Sequence, residues 1–164
     1  MEILSHPSPA LHSGADDVDP LEDVNLLELV KVMARTMYDA PGVGLAAPQI
    51  GVLKRVIVYD VEEGNLVALC NPHIVRRSEE TVIEDEGCLS VPGITIPIER
   101  SATVTCEAVD LGGNTVTIEA SELLARVLQH EVDHLDGVLI IDRASPEEKK
   151  AALRRYAEAS AAVR

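Results

Sequence analysis

The chain of 164 residues has no phenylalanine and no tryptophan, and only three tyrosines. Any core must therefore be assembled from Val, Leu, Ile and Ala, which is feasible because hydrophobic residues make up 46% of the sequence. Cysteine is also scarce. Cys70, Cys88 and Cys106 are odd in number and widely spaced, a poor disulfide framework that suits a reducing cytoplasm, where a thiolate can serve as ligand or nucleophile. Positive charge is in deficit: 14 Lys and Arg face 28 Asp and Glu, for a net charge of −14. That balance argues against nucleic acid or an anionic membrane surface as the main partner. No apolar run approaches the roughly 20 residues of a membrane span. The opening MEILSHPSPALHSGADD places no basic flank before an apolar stretch, so no secretory signal is expected there.

The length fits a single domain over residues 1–164, large enough to bury about two thirds of the surface its unfolded chain would expose. Asp19-Pro20 reads as a helix start. Leu26, Leu29, Val30, Met33 and Met37 then recur at helical spacing as far as about Tyr38. The loop APGVGLAAPQIG follows, its glycines and prolines disfavouring regular structure. Arg55–Val61 is rich in β-branched residues and predicts a strand; Leu66–Cys70 and Ile74–Arg77 predict two more. Thr103–Val109 and Thr115–Glu119 flank the turn LGGN and predict a hairpin. Ser121 opens a helix that Gly137 ends, and Ser145-Pro146-Glu147-Glu148 caps a last helix. The expected class is α+β, with antiparallel strands packed around a central HExxH helix and helices at both ends.

That central helix carries QHEVDHLDG, residues 129–137. On a helix His130 and His134 lie one turn apart on one face, so both imidazoles can reach a single ion. Glu131 is offset by about 100° and can approach a metal-bound water as a general base without competing as a ligand. The alternative is a helix whose histidines are merely surface residues. Two histidines do not complete a catalytic site, since three protein ligands and an open position are usual. No histidine follows His134, which leaves a downstream acid (Glu147, Glu148 or Glu158) or a cysteine as the third ligand. Upstream lies EGCLSVPG, residues 86–93, in which Gly87 lets the backbone come close to a ligand. A lone cysteine in such a segment is more commonly a small buried residue, the reading that Cys70 and Cys106 receive.

Three segments, GVGLAAPQ (42–49), EGCLS (86–90) and QHEVDH (129–134), together resemble the signature motifs of the peptide deformylase family. They stand in the family's order with similar spacing, and the likeness runs from Ile3 to the final helix. The resemblance implies removal of the formyl group from N-formylmethionine at the start of new polypeptides in the cytoplasm. It implies that Cys88, His130 and His134 hold one divalent metal, usually Fe(II), with Zn, Ni or Co able to use the same ligands. Glu131 would take a proton from the metal's water and later deliver it to the leaving amine. The Gln49 amide and the Leu89 backbone N–H would stabilise the developing oxyanion. The peptide would add like a strand near Val43, Gly44, Gly87 and Leu89, and Val43, Leu123 and Val127 would form the methionine pocket.

Glu84 and Arg126 stand where some family members carry aliphatic residues near that pocket; two orientations are open to them, outward, as Arg stems often snorkel, or inward, which would put the methionine preference in question. Glu86 and Arg100 can form a buried ion pair behind the metal loop, though surface charge is the commoner fate of such residues. A solvated carboxylate is the default for Asp133. Lys149, Lys150, Arg154 and Arg155 form a basic patch on the last helix, which in the family can contact the ribosome; a solvated helix face is the plain alternative. Two readings compete with deformylase: an HExxH endopeptidase with a downstream acid ligand, and a metal-binding scaffold without catalysis.

Overall fold

The computed structural model describes residues 1–162. Seven strands and four α-helices follow one another: α1 Leu26–Asp39, β1 Gly44–Ala46, β2 Val56–Tyr59, β3 Val67–Arg77, β4 Thr81–Cys88, β5 Val91–Ser101, β6 Thr103–Val109, β7 Thr115–Ser121, α2 Glu122–Leu135, α3 Ile140–Arg143 and α4 Pro146–Ala162. A five-stranded sheet runs in the order β1-β2-β3-β6-β7, and β4 pairs with β5 in a separate two-stranded sheet. Every pairing within the two sheets is antiparallel. None of the described helices is long and apolar enough to cross a membrane.

Helix α2 lies against the five-stranded sheet, and its apolar stripe accounts for much of the core. Ala125, Leu128 and Leu135 on α2 pack with Ile57, Leu69 and Cys106 from the sheet. A second cluster joins Ile96 and Ile98 of β5 to Ile140 and Ile141 of α3 and Ala152 of α4. In a third, Leu26, Val30, Met33 and Met37 of α1 cover Leu45, Val56 and Val58 of β1 and β2. Among the described residues only Tyr59 brings a six-membered ring into the buried set, so the interior is aliphatic, as the composition requires.

Local chemistry explains where several elements begin and end. The β6–β7 hairpin turns on Asp110, whose Oδ1 accepts the backbone N–H of Gly112 at 3.0 Å and of Asn114 at 2.9 Å. Ser145 Oγ accepts the N–H of Glu148 at 3.2 Å and caps α4. Gly137 closes α2 with φ of 76°, and a Cβ there would sit 2.9 Å from the His12 carbonyl, so both conformation and space require glycine.

Three expectations need correction, and one pair of strands was not foreseen. Asp19 does not open α1; its Oδ1 accepts the Leu21 N–H in a separate turn, and the helix starts at Leu26. The Gly-rich loop contains strand β1, because Gly44–Ala46 pair with Ile57–Tyr59. The two short strands at 66–77 are one strand with register shifts on either side of His73–Ile74; Asn71 absorbs the bend with φ of 52° and holds the backbone of Val18 with both ends of its amide. Strands β4 and β5, unassigned from the sequence, form a long hairpin.

Candidate active site

Helix α2 and the end of β4 meet at three donor atoms. His130 Nε2 and His134 Nε2 are 3.2 Å apart, and Cys88 Sγ lies 3.4 Å from His134 Nε2. All three fall within 4.8 Å of one another. The i, i+4 spacing brings the imidazoles onto one face. Cys88 arrives there because the β4–β5 register shifts between Gly87 and Cys88, a bulge of the kind that re-aims a side chain. One soft sulfur and two imidazole nitrogens, converging and nearly buried, form a donor set suited to a borderline divalent ion.

A buried ionic cluster stands behind these donors. Glu86 Oε1 accepts His130 Nδ1–H at 2.9 Å, which turns Nε2 toward His134 and Cys88. Arg100 grips the same carboxylate with Nε at 2.9 Å and Nη2 at 3.0 Å. Burial alone would raise the Glu86 pKa, but the hydrogen bonds from His130 and Arg100 hold it down at about 2. Arg100 Nη1 also donates to Asp133 Oδ2 at 2.6 Å, and Arg143 closes on both oxygens of Asp133 at 2.8 and 3.1 Å. The Glu86–Arg100 pair is therefore formed. Asp133, read as solvated, is buried instead, because two guanidinium groups supply its hydrogen bonds.

The two imidazoles differ electrostatically. Burial disfavours charge on His130, yet Glu131, Cys88 and Glu86 together raise its pKa well above the ordinary value. His134 is held well below, by burial and by the neighbouring His130 and Arg100. His134 Nδ1 and Glu131 Oε1 are buried with no hydrogen-bond partner among the described residues. Burial pushes the Glu131 carboxyl up to about 7, Glu86 and Asp133 adding to the rise and His130 and Arg100 opposing it. A carboxyl poised near neutrality can both take and return a proton.

Gln49 sits in a 3-10 turn, Ala47–Ile50, directly after β1. Its Oε1 accepts the Ala46 N–H at 3.0 Å, and Nε2 donates to Ser90 Oγ at 3.1 Å. The amide is thereby oriented, with a second N–H on Nε2 left to give. Gly44 lies against Glu131: a Cβ on it would stand 2.5 Å from Glu131 Oε2. Gly87 is under no such pressure, since a Cβ there would meet only ordinary contacts at 3.8 Å.

These groups open on a cavity of about 740 Å³. Every residue that the family resemblance assigns to the site lines it, His134 excepted: Cys88, His130, Glu131, Gln49 and Leu89 at one part, Val43, Gly44, Gly87, Leu123 and Val127 around them. Val127 is buried, whereas Val43 and Leu123 are about half exposed and form the rim. Arg126 also lines the cavity. Of the two orientations open to it, it does not take the outward one; its guanidinium is turned to Glu86 and to the carbonyls of Ile98 and Val82, while Glu84 is exposed. Sequence reasoning missed Ser90, and it placed Arg126 near the pocket without foreseeing its contact with Glu86. The signal for Arg126 was its place one turn before His130; none marked Ser90.

The polypeptide deformylase family profile matches residues 1–150. A peptide deformylase of Acidothermus cellulolyticus is 50% identical over 151 residues, covering 92% of this chain and 82% of that protein. One from Rhizobium meliloti is 45% identical over 162 residues, covering 96% and 92%. The crystal structure of a peptide deformylase from Legionella pneumophila superposes with a TM-score of 0.90 at 40% identity, covering 97% of this chain and 94% of that one. That of Ehrlichia chaffeensis gives 0.91 at 33% identity, covering 99% and 97%. The chain belongs to the peptide deformylase family, hydrolases that remove the formyl group from the N-formylmethionyl start of newly made polypeptides.

Proposed function

We propose that Cys88, His130 and His134 hold a single divalent ion, Fe(II), and that the surrounding residues carry out deformylation at it. The observation that supports this most is the convergence of three donor atoms within 4.8 Å, two of them, from Cys88 and His130, on the wall of the cavity. Zn, Ni and Co fit the same donors, because one thiolate and two imidazoles do not select among these ions. When bound, such an ion supplies Lewis acidity toward a water and a carbonyl oxygen.

The protein's own groups do the rest. Glu131 takes the proton of the attacking water and returns it to the amine nitrogen as the C–N bond breaks, so that water and the formamide become formate and a free N-terminus. Gln49 Nε2 and the Leu89 backbone N–H donate to the formyl oxygen as negative charge grows on it; losing one such donor typically costs about 2.7–4 kcal/mol. Strand β1 is an edge of its sheet. With Val43, which precedes it, the strand offers main-chain groups to a substrate that lies extended between it and Gly87–Leu89, a pairing tolerant of any downstream sequence. Val43, Leu123 and Val127 supply the apolar wall for the methionine side chain.

The ligand set is tested by Cys88→Ser in anaerobically purified protein. Bound iron should fall from about one ion per chain to a small fraction, with the circular-dichroism spectrum unchanged. Retention of the ion at the wild-type level would remove Cys88 from the site. We further propose that residues 1–164 act as one cytoplasmic catalytic domain, and that α4 meets the ribosome through Lys149, Lys150, Arg154 and Arg155, all of which are exposed. Charge reversal at Lys149, Lys150 and Arg154 should abolish co-sedimentation with ribosomes; unchanged co-sedimentation rejects the contact.

A further inference from the structure

Arg126 is 9% exposed and stands on α2 one turn before His130. It lines the cavity, yet its guanidinium is committed behind the wall. Nη1 donates to Glu86 Oε2 and, at 3.0 Å, to the carbonyl of Ile98 in β5. Nη2 donates at 2.8 Å to the carbonyl of Val82 in β4. Its Nε is 3.4 Å from Glu84, which is 63% exposed and contributes little. A planar fork fixed at three points braces α2 against both strands of the hairpin that carries Cys88.

Glu86 is the piece that this brace holds. Its Oε1 orients His130 through Nδ1 and also accepts Arg100 Nη2 at 3.0 Å, and its Oε2 is shared between Arg100 Nε and Arg126 Nη1. Arg100 serves two masters, because its Nη1 is drawn to Asp133 at 2.6 Å, itself gripped by Arg143. Arg126 answers to Glu86 alone among buried acids. Residues 126 and 130 share a helix face, so the carboxylate of Glu86 spans one turn of α2 and ties its ligand-bearing face to β4 two residues before Cys88.

We propose that Arg126 is a positioning residue for the metal centre. By anchoring Glu86 Oε2 it keeps Oε1 on His130 Nδ1, and so holds His130 Nε2 at the point where His134 and Cys88 converge. This rests on the reading of Cys88, His130 and His134 as metal ligands. A residue acting this way should affect how firmly the ion is kept, beyond any effect on folding; loss of a group that orients a ligand typically changes metal affinity by 10–100-fold.

The test compares the Co(II)-loaded wild type with Arg126→Met, Arg126→Lys and Arg143→Met. Arg143 belongs to the same ionic cluster but touches Asp133 and not Glu86. For each protein one measures the rate of Co(II) loss to excess chelator, the visible absorption of the bound ion, and the thermal midpoint. Arg126→Met should release Co(II) roughly tenfold faster or more, with altered visible bands. Arg126→Lys, which can restore one N–H to Glu86, should fall between it and the wild type and serves as the readout if the Met variant does not fold. Arg143→Met should release the ion at the wild-type rate however far its midpoint falls. Wild-type release from the Arg126 variants, or equally rapid release from Arg143→Met, overturns the proposal. A wild type that takes up no Co(II), or Cys88→Ser that keeps it as firmly, overturns the ligand reading itself and the inference with it.

Discussion

Replacing Gly44 with alanine should disable Glu131 while leaving the fold intact. The added Cβ would lie 2.5 Å from Glu131 Oε2, 3.1 Å from its Cδ and 3.2 Å from its Cγ. Two responses are open. Forcing the methyl into the packed site with Glu131 in place costs about 1–3 kcal/mol, whereas turning the carboxylate out of its rotamer costs about 0.5–1.5 kcal/mol. The second is cheaper, and Glu131 Oε1 has no protein hydrogen bond to lose. The carboxylate should therefore move, and general-base catalysis worth about 10²–10⁴-fold goes with it. A fall in kcat of roughly a hundredfold is expected in a formate-release assay, with bound metal unchanged and the thermal midpoint lowered by a few degrees at most. Because the damage runs through Glu131, Gly44→Ala should cost almost nothing further in a Glu131→Gln background. Activity of Gly44→Ala within threefold of wild type, or full additivity with Glu131→Gln, would refute the reasoning.

Glu86→Gln keeps the shape of the side chain but strips Arg100, Arg126 and His130 of their shared counter-charge. Breaking a buried ionic cluster this way should destabilise the protein by about 3–5 kcal/mol in urea unfolding; a loss below about 1 kcal/mol contradicts the cluster's role. Burial pushes the thiols of Cys70 and Cys106 up to about 11 each, so at pH 7.5 fewer than about one in a thousand is thiolate. Native protein should then show at most one thiol, Cys88, reactive toward an aromatic disulfide reagent, and all three only in denaturant. Leu128→Ala removes a fully buried side chain from the contact between α2 and the sheet and should cost about 2–5 kcal/mol, read from the urea midpoint.

The parts of the structure that were legible in the sequence are those where one strong local signal acts alone. The periodicity of α1, the LGGN hairpin and the Ser145 cap were each set by residues close in the chain. Strands β4 and β5 were not, since most side chains of β4 face solvent and TVIEDE shows no clean alternation. Its two buried positions near the end, Glu86 and Cys88, are spaced by two, and that alternation is visible only once a strand is assumed. The donors themselves could be named because HExxH places two of them by helix geometry and the EGCLS motif nominates the third. Of the ionic support, the sequence offered only the Glu86–Arg100 pair, as one of two readings. Asp133 reads as a solvated carboxylate, yet with Arg100 and Arg126 it is buried, because β5 and α2 bring these charges together around Glu86, and the half-exposed Arg143 of α3 closes on Asp133.

The central claim is that this site cuts a formyl cap with a resident divalent ion. It is tested most directly by purifying the protein without oxygen, measuring its metal content, and assaying formate release from a formyl-methionyl tripeptide on the same sample. The account predicts close to one ion per chain and one formate released for each tripeptide consumed, with the internal peptide bonds intact. Folded protein with the ion bound that releases no formate, or that cuts the tripeptide internally, would contradict it.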